Sequence, residues 1–128
     1  VGIVRHDSVP GMSRVVAHQG VLYFTGHGAR PEFVTPREQT AAVLQRLEEL
    51  LVRFGSDKEH VLNALIFVKD ISAYPEVSEV WQSWIPAEHA PACTLVEARI
   101  SQESAWVEIT LTAAVRDYAE APSAGREG

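Results

Sequence analysis

Residues 35–68 read TPREQTAAVLQRLEELLVRFGSDKEHVLNALIFV, and the fold follows from this stretch. Thr35 is placed to cap a helix. Pro36 takes the first helical position, where its missing amide hydrogen is not needed, and Glu38 completes a Thr-x-x-Glu capping box. Leu44, Leu47, Leu51 and Phe54 then recur at steps of three and four, with Leu50 beside them, while Arg46, Glu48, Glu49 and Arg53 form a charged side. A helix with one apolar face lies on something. Gly55 stops it. Beyond a short polar connection, Val61–Val68 is apolar and β-branched, which predicts a strand covered on both faces.

Upstream, residues 14–18 and 21–25 are two β-branched or aromatic runs joined through Gln19-Gly20, the spacing of a hairpin. A loop over 26–35 follows, with Gly26, Gly28 and Pro31. Downstream, Val77, Val80, Trp81, Trp84 and Ile85 mark a second amphipathic helix that Pro86 ends. Residues 94–100 and 105–115 predict two closing strands. In the last, Val107, Ile109, Leu111 and Ala113 face one way, and Trp106, Glu108, Thr110 and Thr112 the other. The order is β-β-α-β-α-β-β, an α+β domain whose two helices cover one face of a sheet of about five strands. The uncovered face keeps apolar groups (Trp106, Leu22 or Tyr23, Val15 or Val16, according to register), so subunits are expected to associate through it. Residues 1–9 are expected as an N-terminal extension, 10–117 as the single domain, and 118–128 as a flexible tail, since AEAPSAGREG is small, polar and broken by Pro122.

The chain has 128 residues, 46% of them apolar and 22% charged, the mix of one globular domain. Its 11 Lys and Arg against 17 Asp and Glu give a net charge of −6, and no basic stripe favours nucleic acid. A single cysteine, Cys93, excludes an internal disulfide and fits a reducing cytoplasm. No apolar run approaches the ~20 residues of a membrane span, and VGIVRHDSVP lacks the pattern of a signal peptide. A cytoplasmic location without membrane contact is the expectation.

Most signatures of chemistry are missing. The five histidines, among them His27, are scattered without the HxxxH or CxxC spacing of a metal site. Gly26-His27-Gly28 is a lone G-x-G far ahead of the helix, better suited to a turn than to phosphate. No G-x-S-x-G elbow is present. Glu97 and Glu108, on the last two strands, are candidates for a facing carboxylate pair, or for solvated positions paired with Arg99 or Arg116. Cys93 is a candidate nucleophile if a histidine such as His27 activates it, or a small core residue.

Taken together, several segments resemble the RidA/YjgF/UK114 (Rid) family. Tyr23-Phe24-Thr25-Gly26 is similar to its strand-end motif, Gln39-Thr40 with Leu44, Leu47 and Phe54-Gly55 to its first helix, and Phe67-Val68-Lys69-Asp70 to its next strand end. Trp81 falls where the second helix carries an aromatic. Ala90-Pro91-Ala92 with Val96-Glu97-Ala98, and Val107-Glu108-Ile109, resemble the last two motifs, so the likeness runs from about Pro10 to Arg116. The resemblance implies a chorismate-mutase-like α+β fold assembled as a homotrimer with three inter-subunit clefts. It also implies cofactor-free hydrolysis of reactive 2-imino acids, derived from enamines, to 2-oxo acids and ammonia. In that chemistry the arginine of a P-A-R motif grips the substrate carboxylate and a last-strand glutamate positions water.

This chain departs from the pattern in the pocket itself. Cys93 stands at the arginine position, Thr110 at that of the water-positioning glutamate, Met12 at that of a tyrosine and Ser78 at that of a helix asparagine; Thr25 and Gly26 keep the small cleft edge. A thiol cannot make the guanidinium's fork contact with a carboxylate. By position, Cys93 becomes a candidate nucleophile toward an imine, enone or ester carbon, with His27 as its base and the Thr25 and Thr110 hydroxyls on a polarised oxygen or nitrogen. Glu108 is a candidate acid or base, or a structural carboxylate of the trimer, and Arg30 a displaced anion contact. The expected ligand is a small reactive imine, enamine or carbonyl compound, handled by a deaminase-like or tailoring enzyme without cofactor. The alternatives are a non-catalytic metabolite-binding trimer, or a redox or chaperone-like protein using Cys93.

Overall fold

A computed structural model describes residues 2–118, so all but Tyr118 of the tail expected over 118–128 lies outside the described residues. Seven strands form one mixed sheet: β1 (Val4–Val9), β2 (Met12–His18), β3 (Val21–Phe24), β4 (His27–Gly28), β5 (Val61–Val68), β6 (Ala92–Glu97) and β7 (Val107–Ala114). The spatial order is β1-β2-β3-β7-β5-β6, with the two-residue β4 also on β7; β5 and β6 are parallel, every other pair antiparallel. Helices α1 (Pro36–Arg53) and α2 (Tyr74–Trp84) lie together on one face. The α+β class with two helices on one side is therefore observed, with two more strands than expected.

Local chemistry accounts for the helix ends. Thr35 Oγ1 accepts from the Glu38 amide at 3.1 Å, and the Glu38 carboxylate accepts from the Thr35 amide at 3.1 Å, the reciprocal capping box. At the other end the Ser56 amide donates to Leu51 O and the Gly55 amide to Val52 O. Gly55 takes φ +89°, the left-handed conformation that this Schellman cap needs. Leu44, Leu47, Leu50 and Leu51 are fully buried against Val107, Ile109 and Leu111, so the helix face and the alternating strand form one core. The Gln19-Gly20 turn puts both residues at positive φ, +51° and +80°, which matches the right-handed twist of the hairpin arms.

Four expectations are corrected. Residues 4–9 are no extension: they form β1, paired with β2 across the Pro10-Gly11 turn. Five of its six residues are exposed, so it contributes almost nothing to the core and leaves no hydropathy signal. At the other boundary Tyr118 lies against Gly20 rather than leaving with the tail. The strand expected at 94–100 runs instead over 92–97, because its partner β5 ends at Val68, opposite Glu97, where Asp70 caps a short 3-10 turn. Finally, β5 is covered on one face only within the chain: Ala64, Ile66 and Val68 are buried under the helices, whereas Leu65 and Phe67 are half-buried on the open face.

Candidate functional site

Register separates the candidate residues into three places. The first is a groove of about 680 Å³ between the edge strand β6 and α2, where Cys93 and Leu95 face Tyr74, Ser78, Trp81 and Gln82. Cys93 pairs with the buried Ala64 and so points to the helix side, at the sheet edge, where it stays exposed. Ser78 comes from one turn inside α2, on the face whose neighbours Val77 and Trp81 are buried. The Gln82 side-chain amide donates to Ser78 Oγ at 2.9 Å, which leaves the serine hydroxyl hydrogen free to donate elsewhere. Among the described residues, no charged side chain lines this groove. Partial burial pushes the Cys93 thiol above its ordinary pKa, with no cation opposing it.

The second place is the open face. Glu108 and Thr110 alternate with the buried Ile109 and stand beside Phe67 and Leu65. A Cβ on Gly26 would run into the Glu108 carboxylate, so the glycine is what allows that carboxylate to lie against the strand end next to Thr25. No ion pair involves Glu108 among the described residues. Tyr23, half exposed, and the half-buried Val16 and Trp106 continue this face, so register selects Tyr23 over Leu22 and Val16 over Val15. Met12 lies exposed at the far end, opposite Val9 beside the β1–β2 turn.

The third place holds His27 and Arg30, in a separate cavity beside α1. His27 pairs with Ile109 and is 8% exposed. The Thr25 carbonyl lies 2.8 Å from its Nδ1 and can only accept, so Nδ1 carries the hydrogen. Burial, with Arg14 and Arg46 adding to it, lowers the His27 pKa against the raising effect of that backbone bond; the ring is neutral.

Two expected pairings are not formed within the chain. Strands β5 and β7 separate Cys93 from His27, roughly 14 Å at the usual strand spacing, with core side chains between. His27 is therefore no base for the Cys93 of its own subunit. Glu97 and Glu108 are parted by β5 and point to opposite faces, since Glu97 aligns with the buried Val68 and Glu108 with Phe67. Glu97 instead accepts from the Ile71 amide at 2.8 Å.

Gln39, so far only part of a family motif, ties the loop at Phe33 and the segment at Ser104–Trp106 to α1. Its Nε2 donates to Phe33 O at 2.8 Å and Ser104 O at 3.0 Å, and its Oε1 accepts from the Trp106 amide at 2.7 Å. A glutamine on the inner face of an otherwise apolar helix was the available signal. Among the described residues no His, Cys, Asp or Glu group is arranged to hold a metal ion, and no helix is long and apolar enough to cross a membrane.

Against known proteins, a family described as Endoribonuclease L-PSP matches residues 4–115. The RutC family protein YoaB of Escherichia coli K12 is 36% identical over 115 residues, covering 88% of this chain and 98% of that one. A RutC family protein of Haemophilus ducreyi is 30% identical over 113 residues, covering 88% and 97%. Among solved structures, a YjgF family member from Neisseria meningitidis superposes with a TM-score of 0.86 at 37% identity, over 91% of this chain and 97% of that chain. A YjgF/YER057c/UK114 family member from Mycobacterium tuberculosis does so with a TM-score of 0.79 at 26% identity, over 89% and 100%.

Proposed function

Because the chain belongs to the endoribonuclease L-PSP family, which includes the RutC and YjgF proteins, we propose that it works as a Rid-type homotrimer acting on a small uncharged imine, enamine or carbonyl compound. The site is the groove between β6 and α2, closed by a neighbouring subunit. One observation carries this reading: Cys93 and Ser78 meet in a groove with aromatic walls and no charged lining. A carboxylate moved into such a place loses hydration and gains no cation, whereas a neutral electrophile pays little to enter. The free Ser78 hydroxyl hydrogen is suited to a carbonyl oxygen or imine nitrogen, and Tyr74 and Trp81 to an apolar substituent.

The same reasoning weighs against ordinary 2-iminobutanoate or 2-iminopropanoate deamination, which leans on an arginine at the position of Cys93. It also weighs against redox sensing, since a thiol whose pKa is raised is a poor thiolate source. RNA cleavage, which the family description names, finds little support in a chain of net charge −6. The uncovered face with Tyr23, Val16, Leu65 and Phe67 supports self-association, and β6 and β1 are the free edges of the sheet. Thr25, Gly26 and Glu108, near that face, are the group a neighbour would bring to the groove.

The test is ammonia release from enzymatically generated 2-iminopropanoate. Wild-type protein is expected to stay near the uncatalysed background. Release at the rate of an arginine-bearing relative contradicts the reading.

A further inference from the structure

The geometry points to a second binding site, away from the Cys93 groove: the cavity between β4, the 28–33 loop and α1 takes a small oxyanion that also carries a hydroxyl hydrogen. The cavity measures about 700 Å³, and Arg14, Arg30 and Arg46 line it together with His27, Gln45 and Glu49. Three of the 11 basic residues of an acidic chain thus share one cavity with a single carboxylate. Their present ion pairs are loose. Arg14 lies 3.6 Å from Asp7, Arg30 3.6 Å from Glu32 and Arg46 3.9 Å from Glu49, well beyond the ~2.8 Å of a charge-assisted hydrogen bond. Exposed pairs at such distances hold a guanidinium weakly, so all three forks are free to turn onto a ligand.

The second observation is His27. It is more than nine-tenths buried in the wall of this cavity, and its Nε2 has no hydrogen-bond partner. With Nδ1 donating to Thr25, the neutral ring presents a bare lone pair at Nε2. A buried acceptor without a donor is costly, and burial together with the Arg14 and Arg46 guanidiniums disfavours protonating it. A ligand that gives a hydrogen to Nε2 and its negative charge to the arginines satisfies both. Hydrogen phosphate and 2-hydroxycarboxylates have that combination. A fully deprotonated anion such as sulfate does not, because its lone pairs would meet that of the histidine.

Calorimetric titration of the full-length protein at about pH 7.5 tests this, with phosphate and lactate against sulfate and acetate as hydroxyl-free controls. Phosphate, lactate or both are expected to bind at least about tenfold tighter than their controls, and Arg46→Gln to weaken that binding at least about tenfold. Which of the two binds identifies the source of the oxyanion. His27→Phe is expected to abolish the preference. Equal binding of hydroxyl-bearing and hydroxyl-free anions at neutral pH, no binding, or binding indifferent to Arg46→Gln overturns the proposal. Arg46 is exposed, so its variant keeps the test decisive even if His27→Phe fails to fold.

Discussion

At the residue scale, the site turns on what surrounds one thiol. Cys93 was legible in the sequence as the point where the chain parts from the Rid pattern, and Ser78 as its companion, and both line one groove. Within one subunit His27 does not reach Cys93, because spacing along a chain says nothing about which strands intervene; β5 and β7 do. Iodoacetamide should alkylate Cys93, which is exposed, but more slowly at neutral pH than an unperturbed thiol, with the rate still rising above the ordinary cysteine pKa. A rate that levels off below that value, followed by mass spectrometry, would reveal a thiolate that this environment does not support. Gly26→Ala should leave the fold intact, since the added methyl meets the mobile end of Glu108 and not backbone. It should nonetheless displace that carboxylate, visible as shifted Glu108 and Thr25 resonances.

At the element scale, α1 was readable to its ends, because capping boxes and C-terminal glycines are local chemistry. β1 was not, because an edge strand with five exposed residues carries no periodic burial. β6 was misplaced because a strand's extent is set by its partner's, and β5 lies more than twenty residues away in sequence. Gly55→Ala is expected to cost about 1 kcal/mol in denaturant unfolding, the price of a Cβ in the left-handed region. Gln39→Leu should cost more, about 3 kcal/mol, because it strands the Trp106 amide and two carbonyls in the interior. A loss below that of Gly55→Ala would mean that water replaces the side chain.

For the whole molecule, one face of the sheet is covered and the other is open, as two amphipathic helices on a small sheet require. Which apolar groups the open face carries needed the register, and the sequence left that choice undecided. Stability should also report on His27. Its pKa is lowered in the folded state, so its contribution is fully present above the ordinary value of 6.5 and is lost as pH falls toward the lowered native value. Unfolding free energy should therefore drop below about pH 6.5, and less steeply in His27→Gln. An identical slope in wild type and variant would place the proton elsewhere.

On the proposed function, the Cys93 groove selects an uncharged electrophile. The most direct test is an NMR titration of the assembled protein with pyruvate and with its methyl ester, in which a methyl group masks the charge. Saturable shifts are expected at Cys93, Ser78 and Trp81 with the ester, and none there with pyruvate. Tighter binding of pyruvate at those three residues would contradict it.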